Sequence, residues 1–192
     1  MNLEPFCFTV LERAVAVDND QNSLIDLQET GTFLPNDYKA IVRKDTNQVI
    51  SIVKQSYKLV PNATLIDKLL RELAMCGHTF RFNRQHSYVD NNLMRLQMTF
   101  PYLTLQDSES NMALTAYLHN SYNLSEGVRF IFASIRYICS NGCVFGNVLS
   151  RYDSKHASGF SFERLVEKLS QATKYIPKIQ ERNYPLERLP VD

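Results

Sequence analysis

The chain has almost no net charge: 21 Lys and Arg stand against 20 Asp and Glu, a formal +1 over 192 residues. That excludes a polybasic glue for nucleic acid or membrane. It does not exclude a local basic face, because clustering rather than the total sets the surface potential. No apolar run approaches the ~20 residues needed to cross a bilayer. The N-terminus MNLEPFCFTVLERAV has Glu4 where a signal peptide is basic, and it has no long apolar core. A soluble chain that does not engage a membrane is the expectation. Low-complexity tracts are also missing, and 44% hydrophobic with 21% charged residues is an ordinary globular balance. Disorder as the main state is therefore excluded. At 192 residues there is room for one sizeable core and little room for a second full domain.

Catalytic signatures are missing as well. The sequence contains no Walker motif, no Rossmann glycine fingerprint and no HExxH. Ser121, His119 and Asp107 can be imagined as a hydrolase triad, but Ser121 sits in no Gly-x-Ser-x-Gly elbow. Cys139 with His119 offers a thiol and a base, yet nothing there predicts a lowered thiol pKa. The four cysteines do not form a framework: Cys7 and Cys76 are isolated, and only Cys139 and Cys143 are close, spaced C-x3-C. Zinc needs four ligands, and a single local pair, even with Cys76, His78 or His119 added, lacks the doubled spacing of zinc motifs. No catalytic residue, metal site or cofactor is expected.

Periodicity carries most of the fold information. Residues 9–17 fit a short helix, and residues 18–22 form a polar break. Residues 39–43 and 48–54, rich in β-branched side chains, flank Asp45-Thr46-Asn47 as a hairpin. A helix follows, with Asn62 as N-cap, Leu65, Ile66, Leu69, Leu70 and Leu73 on one face, and Gly77 past its end. Four strands come next. Residues 78–84, 93–100 and 113–120 alternate between apolar and polar, while residues 128–139 are apolar on both faces and read as a central, doubly covered strand. Ser161 caps a second helix, lined by Phe162, Leu165, Val166, Leu169 and Ala172. The expected order is β-β-α-β-β-β-β-α, an α+β domain with both helices on one face of a single antiparallel sheet. Residues 1–35 form an N-terminal segment, residues 36–176 the domain, and residues 177–192, starting at Pro177, an extended tail.

If the strands pair in order, the wetter sheet face carries Arg81, Arg95, Gln97, Thr115, Tyr117 and His119. Arginines meet phosphates, and Tyr and His stack on unpaired bases, which is how sheet-based single-strand binders work. Arg81, Arg95, Tyr117 and His119 are thus the candidate nucleic-acid contacts, although the same pattern also describes an ordinary solvated face. Two polar knots bracket the strand at residues 128–139. The first is His119-Asn120-Ser121-Tyr122-Asn123, and the second runs from Arg136 to Cys143 and includes Asn141-Gly142, a strong turn dipeptide. An inward Arg136 needs a carboxylate, with Asp107, Glu109 or Glu126 as candidates. Asn120, Arg136 and Asn141 are therefore either a structural clamp or an anion pocket. Tryptophan is absent, so a protein-binding surface would have to use other anchors, with Tyr88, Tyr102, Tyr152 and Phe160 as candidates.

Tyr57 to Pro61, then Asn120-Ser121-Tyr122-Asn123, then Arg136-x-x-Cys139-x-Asn141-Gly142 resemble the DUF932 family of phage, prophage and plasmid proteins (the UPF0380 group). The three landmarks fall in family order across roughly residues 50–175. One element departs: relatives usually place a glycine directly after Asn-Ser-aromatic-Asp, whereas here Gly127 arrives late. The resemblance implies a mobile-element origin and the cytoplasm of a bacterial host, and it implies no activity. The expectation is a non-enzymatic accessory protein that binds single-stranded DNA in recombination, replication or counter-defence. The alternative is direct inhibition of a host protein, and self-association into a homo-oligomer is compatible with both.

Overall fold

A computed structural model describes residues 2–17, 24–26, 32–33, 37–75, 77, 79–106, 111–137, 144–157 and 160–181. The N-terminal strands are β1 (Val10–Val17), β2 (Leu24–Asp26), β3 (Thr32–Phe33), β4 (Tyr38–Arg43) and β5 (Val49–Lys54). They make one antiparallel sheet in the order β2-β1-β4-β5, with β3 also on β1. The expected helix over residues 9–17 is therefore a strand. Its Leu, Glu, Arg and Ala are good helix formers, but pairing with β4 decides the outcome. Val10 and Val15 are buried, and Glu12 receives Lys39 Nζ from across the strands at 2.8 Å. The β4–β5 hairpin forms as expected, with Asn47 at φ +54° in its turn, a conformation that Asn tolerates better than most residues.

Helix α1 (Asn62–Met75) buries Leu65, Ile66, Leu69 and Leu73. It ends at Gly77, whose φ of +68° and 3.1 Å bond to the Ala74 carbonyl make the expected C-terminal stop. Its start differs from expectation. Asn62 Oδ1 accepts from Asn120 Nδ2 at 2.7 Å rather than capping its own helix, and the Asn62 N–H donates to the Tyr122 hydroxyl at 2.8 Å. A buried amide left unpaired costs more than a helix end lacking one side-chain cap, so the long-range partner wins.

The second sheet contains β6 (Arg81–Phe82), β7 (Tyr88–Val89), β8 (Leu93–Gln106), β9 (Asn111–Ser121), β10 (Val128–Tyr137) and β11 (Val144–Ser154). Its order is β11-β10-β9-β8-β6, antiparallel throughout, with β7 on the β8 edge. Helix α2 (Phe162–Glu181) packs against α1, β11, β8 and β10. The α+β class and the antiparallel pairing match the sequence reading, but there are two sheets where one was expected. The strand over residues 78–84 shrinks to Arg81–Phe82, followed by a 3-10 turn at Arg84–His86. Strand β11 was not foreseen, because Gly146, Asn147 and Asp153 interrupt its apolar pattern; pairing along β10 holds it in place.

Period-two alternation directs the core. Met94, Leu96, Met98 and Phe100 on β8, Leu114, Ala116 and Leu118 on β9, and Val128, Phe130 and Phe132 on β10 are all buried in one cluster with the α1 leucines and Leu165 of α2. Each of these side chains larger than Ala116 contributes roughly 1.5–3 kcal/mol on burial. Strand β10 is interior, between β9 and the β11 edge, rather than central, and only its helix-facing side is fully covered, since Arg129 and Ile131 keep partial exposure. Tyr152 and Phe160, proposed above as surface anchors, are core residues. Tyr152 exchanges bonds with Ser161 at 3.1 and 3.2 Å, and Ser161 caps α2 by accepting from the Arg164 N–H at 3.2 Å. Pro177 does not end α2, which continues to Glu181; a proline forfeits its own hydrogen bond without obliging the helix to stop. Residues 182–192 of the expected tail lie outside the described residues, as does the side chain of Tyr102. No helix among the described residues is long and apolar enough to cross a membrane.

Candidate nucleic-acid interface

Register places the predicted contacts on one face. Arg81 lies opposite Thr99, Arg95 opposite His119, and Gln97 opposite Tyr117, and directly opposed residues share a side of the sheet. Arg81, Arg95, Tyr117 and His119 therefore all project away from the helices. The same face gains Arg129 opposite both His119 and Asp153 and Arg151 opposite Ile131, which the sequence reading left out, and Tyr88 opposite Arg95, named above only as a protein-binding anchor. Alternation in RFIFASIRY and SRYDS was the available signal for Arg129, Arg151 and Asp153. Without knowing that β11 exists, it could not be used.

The face is not uniformly open. Tyr88 is 52% exposed, and the Arg95 and His119 side chains are 49% and 16% exposed. Gln97 and Thr115, inward from the sheet end, are buried. Nor are its arginines all bare. Arg95 Nη2 binds Glu126 Oε1, while Arg129 Nε and Arg151 Nη2 both bind Asp153. Arg81, Arg95, Arg129 and Arg151 stand against Glu126, Asp153 and, bound to the Tyr88 hydroxyl, Asp90, which leaves these described residues a surplus of one positive charge.

Glu126 is the centre of this group. Burial works to raise its pKa, but the Arg95 hydrogen bond and the charges of Arg95, His119 and Arg129 prevail, so it titrates below the usual glutamate range. His119 Nδ1 stands 3.3 Å from Glu126 Oε2. Its pKa is depressed, first by burial and then by Arg95 and Arg129, with Glu126 pulling the other way. Asp153 is likewise held low: burial opposes this, and the bonds to Arg151 and Arg129 outweigh it.

Asn120, assigned above to a clamp or an anion pocket, is fully buried. Both its amide hydrogens are used, one on Val60 O at 2.9 Å and one on Asn62 Oδ1 at 2.7 Å. Its neighbours continue the junction. The Ser121 hydroxyl accepts from Glu126 N at 3.0 Å and donates to Glu126 O at 2.6 Å, which leaves it committed to the loop. The Tyr57 hydroxyl donates to Ser121 O at 3.3 Å. The first polar knot is thus tied to residues 57–62. Of the three carboxylates suggested as partners for Arg136, Glu126 pairs instead with Arg95. The Arg136 side chain, and Asp107, Glu109, Cys76, Cys139, Asn141 and Cys143, lie outside the described residues. Among the described residues, His, Cys, Asp and Glu form no group of three that could hold a metal ion.

Below this face, the Leu124–Gly127 loop and the Asp153–Ala157 segment border a cleft of about 690 Å³. Gly127 is required there: a Cβ on it would lie 2.2 Å from the Ser154 carbonyl oxygen. The late glycine is thus explained by close approach of β10's first residues to the end of β11.

An α+β scaffold with two antiparallel sheets, joined at an Asn-Ser-Tyr junction, is the class defined by these features. The chain belongs to the DUF932 family, a domain of unknown function whose family model matches residues 49–192. No curated protein and no solved structure gives a match.

Proposed function

We propose that the protein is a non-enzymatic binder of single-stranded nucleic acid, laid across the face of the second sheet turned away from α1 and α2. The observation that carries the reading is the gathering of Arg81, Arg95, Tyr117 and His119 on that one face by strand register. Arg129 and Arg151 extend the cationic row. Guanidiniums supply phosphate contacts, while Tyr117 and Tyr88 offer π-faces that accept any base. The setting that goes with this reading is recombination, replication or counter-defence of a phage or plasmid in the cytoplasm of a bacterial host. It rests on the resemblance to mobile-element proteins, since the family itself is a domain of unknown function.

The test is fluorescence anisotropy with a labelled single strand at 50 and 200 mM salt. With two to four phosphate contacts, the affinity falls roughly seven- to fiftyfold between these conditions. Replacing Arg81 and Arg95 together by Met weakens binding alike for all sequences and lowers the salt slope by about 1.4 units. Absence of salt-sensitive binding at micromolar protein overturns the reading. It would favour the second one, capture of a host protein, which is supported by half-exposed Tyr88 opposite Arg95, two residue types common at interface hot spots.

A further inference from the structure

Arg95 is one of the proposed phosphate contacts, and it is already occupied. We propose that the Glu126 carboxylate is an internal phosphate mimic: it fills the position between Arg95 and His119 that a nucleic-acid phosphate takes on binding, so that binding is an exchange of anions. The inference rests on the function proposed above.

Three observations support it. First, the carboxylate sits between two cationic-capable groups that share the open face, Arg95 Nη2 on Oε1 and His119 Nδ1 at 3.3 Å from Oε2. Second, the fit is incomplete. Oε2 and His119 Nδ1 are both buried and meet at 3.3 Å without good hydrogen-bond alignment, and among the described residues neither has another partner. A planar carboxylate serves Arg95 well and His119 poorly, whereas a tetrahedral phosphate has oxygens to spare for both. Third, the exchange needs only a side-chain rotation. The Glu126 backbone is gripped on both its N–H and its carbonyl by the Ser121 hydroxyl, and the next residue, Gly127, is pressed against Ser154. The loop stays in place while the carboxylate swings outward, so the ordering cost of the bound state remains small.

Glu126 thereby sets a threshold. It keeps the face from collecting stray anions, and it yields to a polyanion that brings several phosphates at once. Removing its charge should tighten binding of a single strand.

The experiment compares the wild type, Glu126→Gln, Glu126→Asp and Asp67→Asn by anisotropy, using a labelled thymidine oligonucleotide of about sixteen nucleotides. Asp67 pairs with Arg71 on exposed α1, on the helix side of the sheet, so its substitution changes net charge equally without touching the face. Thermal melts confirm that each variant is folded. Glu126→Gln should bind roughly fivefold tighter with a steeper salt dependence, Glu126→Asp should fall between it and the wild type, and Asp67→Asn should match the wild type. In an Arg95→Met background the gain from Glu126→Gln should largely vanish. If the wild type binds and Glu126→Gln binds equally or more weakly, or Asp67→Asn gains as much, the mimic is refuted while the proposed function stands. If neither wild type nor Glu126→Gln binds in a salt-sensitive manner, the proposed function itself has failed and the mimic fails with it.

Discussion

Replacing Asn120 by Ala separates a structural junction from an anion pocket. The substitution deletes two buried hydrogen bonds, to Val60 O and to Asn62 Oδ1. It strands two acceptors in a region where Asn62 and Val60 are themselves about 1% exposed. An unsatisfied buried acceptor costs about 1–3 kcal/mol, far more than the net worth of an ordinary hydrogen bond. With partial relaxation around the smaller side chain, the loss is about 3 kcal/mol. For a chain of this size each kcal/mol lowers Tm by about 2–4 °C, so a drop of about 9 °C is expected. Asn120→Asp is as damaging near neutral pH, since it points a carboxylate at two acceptors. Urea unfolding gives ΔΔG directly, and a double-mutant cycle with Asn62→Ala should show a coupling of about 1–2 kcal/mol. A loss below about 0.5 kcal/mol, the range of ordinary surface changes, would refute the junction. So would retained stability combined with lost binding of nucleic acid.

Gly127→Ala forces a Cβ to 2.2 Å from Ser154 O, a backbone atom that cannot swing aside. Overpacking of this kind costs about 1–3 kcal/mol, readable as a lower urea midpoint with an unchanged m-value. Acidification has its own signature. His119 and His156 both titrate below their ordinary value near 6.5, each mainly through burial. His119 faces Glu126, Arg95 and Arg129, while His156 faces the Tyr57 ring and the Lys58 carbonyl. A depressed histidine pKa means that the unfolded chain binds more protons, so this stability is complete above the unfolded value and falls as pH drops through 6.5 toward the folded pKa. Thermal melts from neutral pH to about pH 5 should show Tm falling, and His156→Gln should flatten that slope. A slope unchanged by the substitution would remove His156 from the account.

Much of this was readable from residue order, and the rest fails for identifiable reasons. Helix α1 and strands β8 and β9 announce themselves because each buries one clean stripe against one partner: four leucine-type residues at helical spacing, and Met94, Leu96, Met98 and Phe100 at period two. The same alternation was enough to place Arg81, Arg95, Tyr117 and His119 on a common side. Strand β1 was misread because its local propensity is helical and its true determinant, pairing with β4, is non-local. The loop role of Glu126 was equally hidden. Its sequence neighbours say nothing of Arg95, which is 31 residues away, and only the fold brings the two together. Gly127 shows the converse, a residue whose position looked anomalous until β11 supplied the backbone that it must clear.

Two of the three family landmarks, Tyr57–Pro61 and Asn120–Asn123, acquire a physical meaning that differs from a binding motif. Tyr122 is buried with its ring among Val10, Ile41, Val53 and Tyr57 of the first sheet's cluster, while its hydroxyl receives the first N–H of α1, which belongs to the other core. Its carbonyl is taken by Ser51 of β5, and its N–H reaches Asn92 O at 2.7 Å. One residue therefore couples both sheets and a helix, and Asn120 and Tyr57 brace it from either side. The family match begins at residue 49, so it takes in β5, which holds Tyr122, and omits β1 to β4. Landmarks that fix a junction specify a scaffold, and the face they orient is free to vary in chemistry. The interface proposed above accordingly lies in Arg81, Arg95, Arg129, Arg151 and the glutamate that holds one of them, and the Asn-Ser-Tyr run serves the scaffold that orients them.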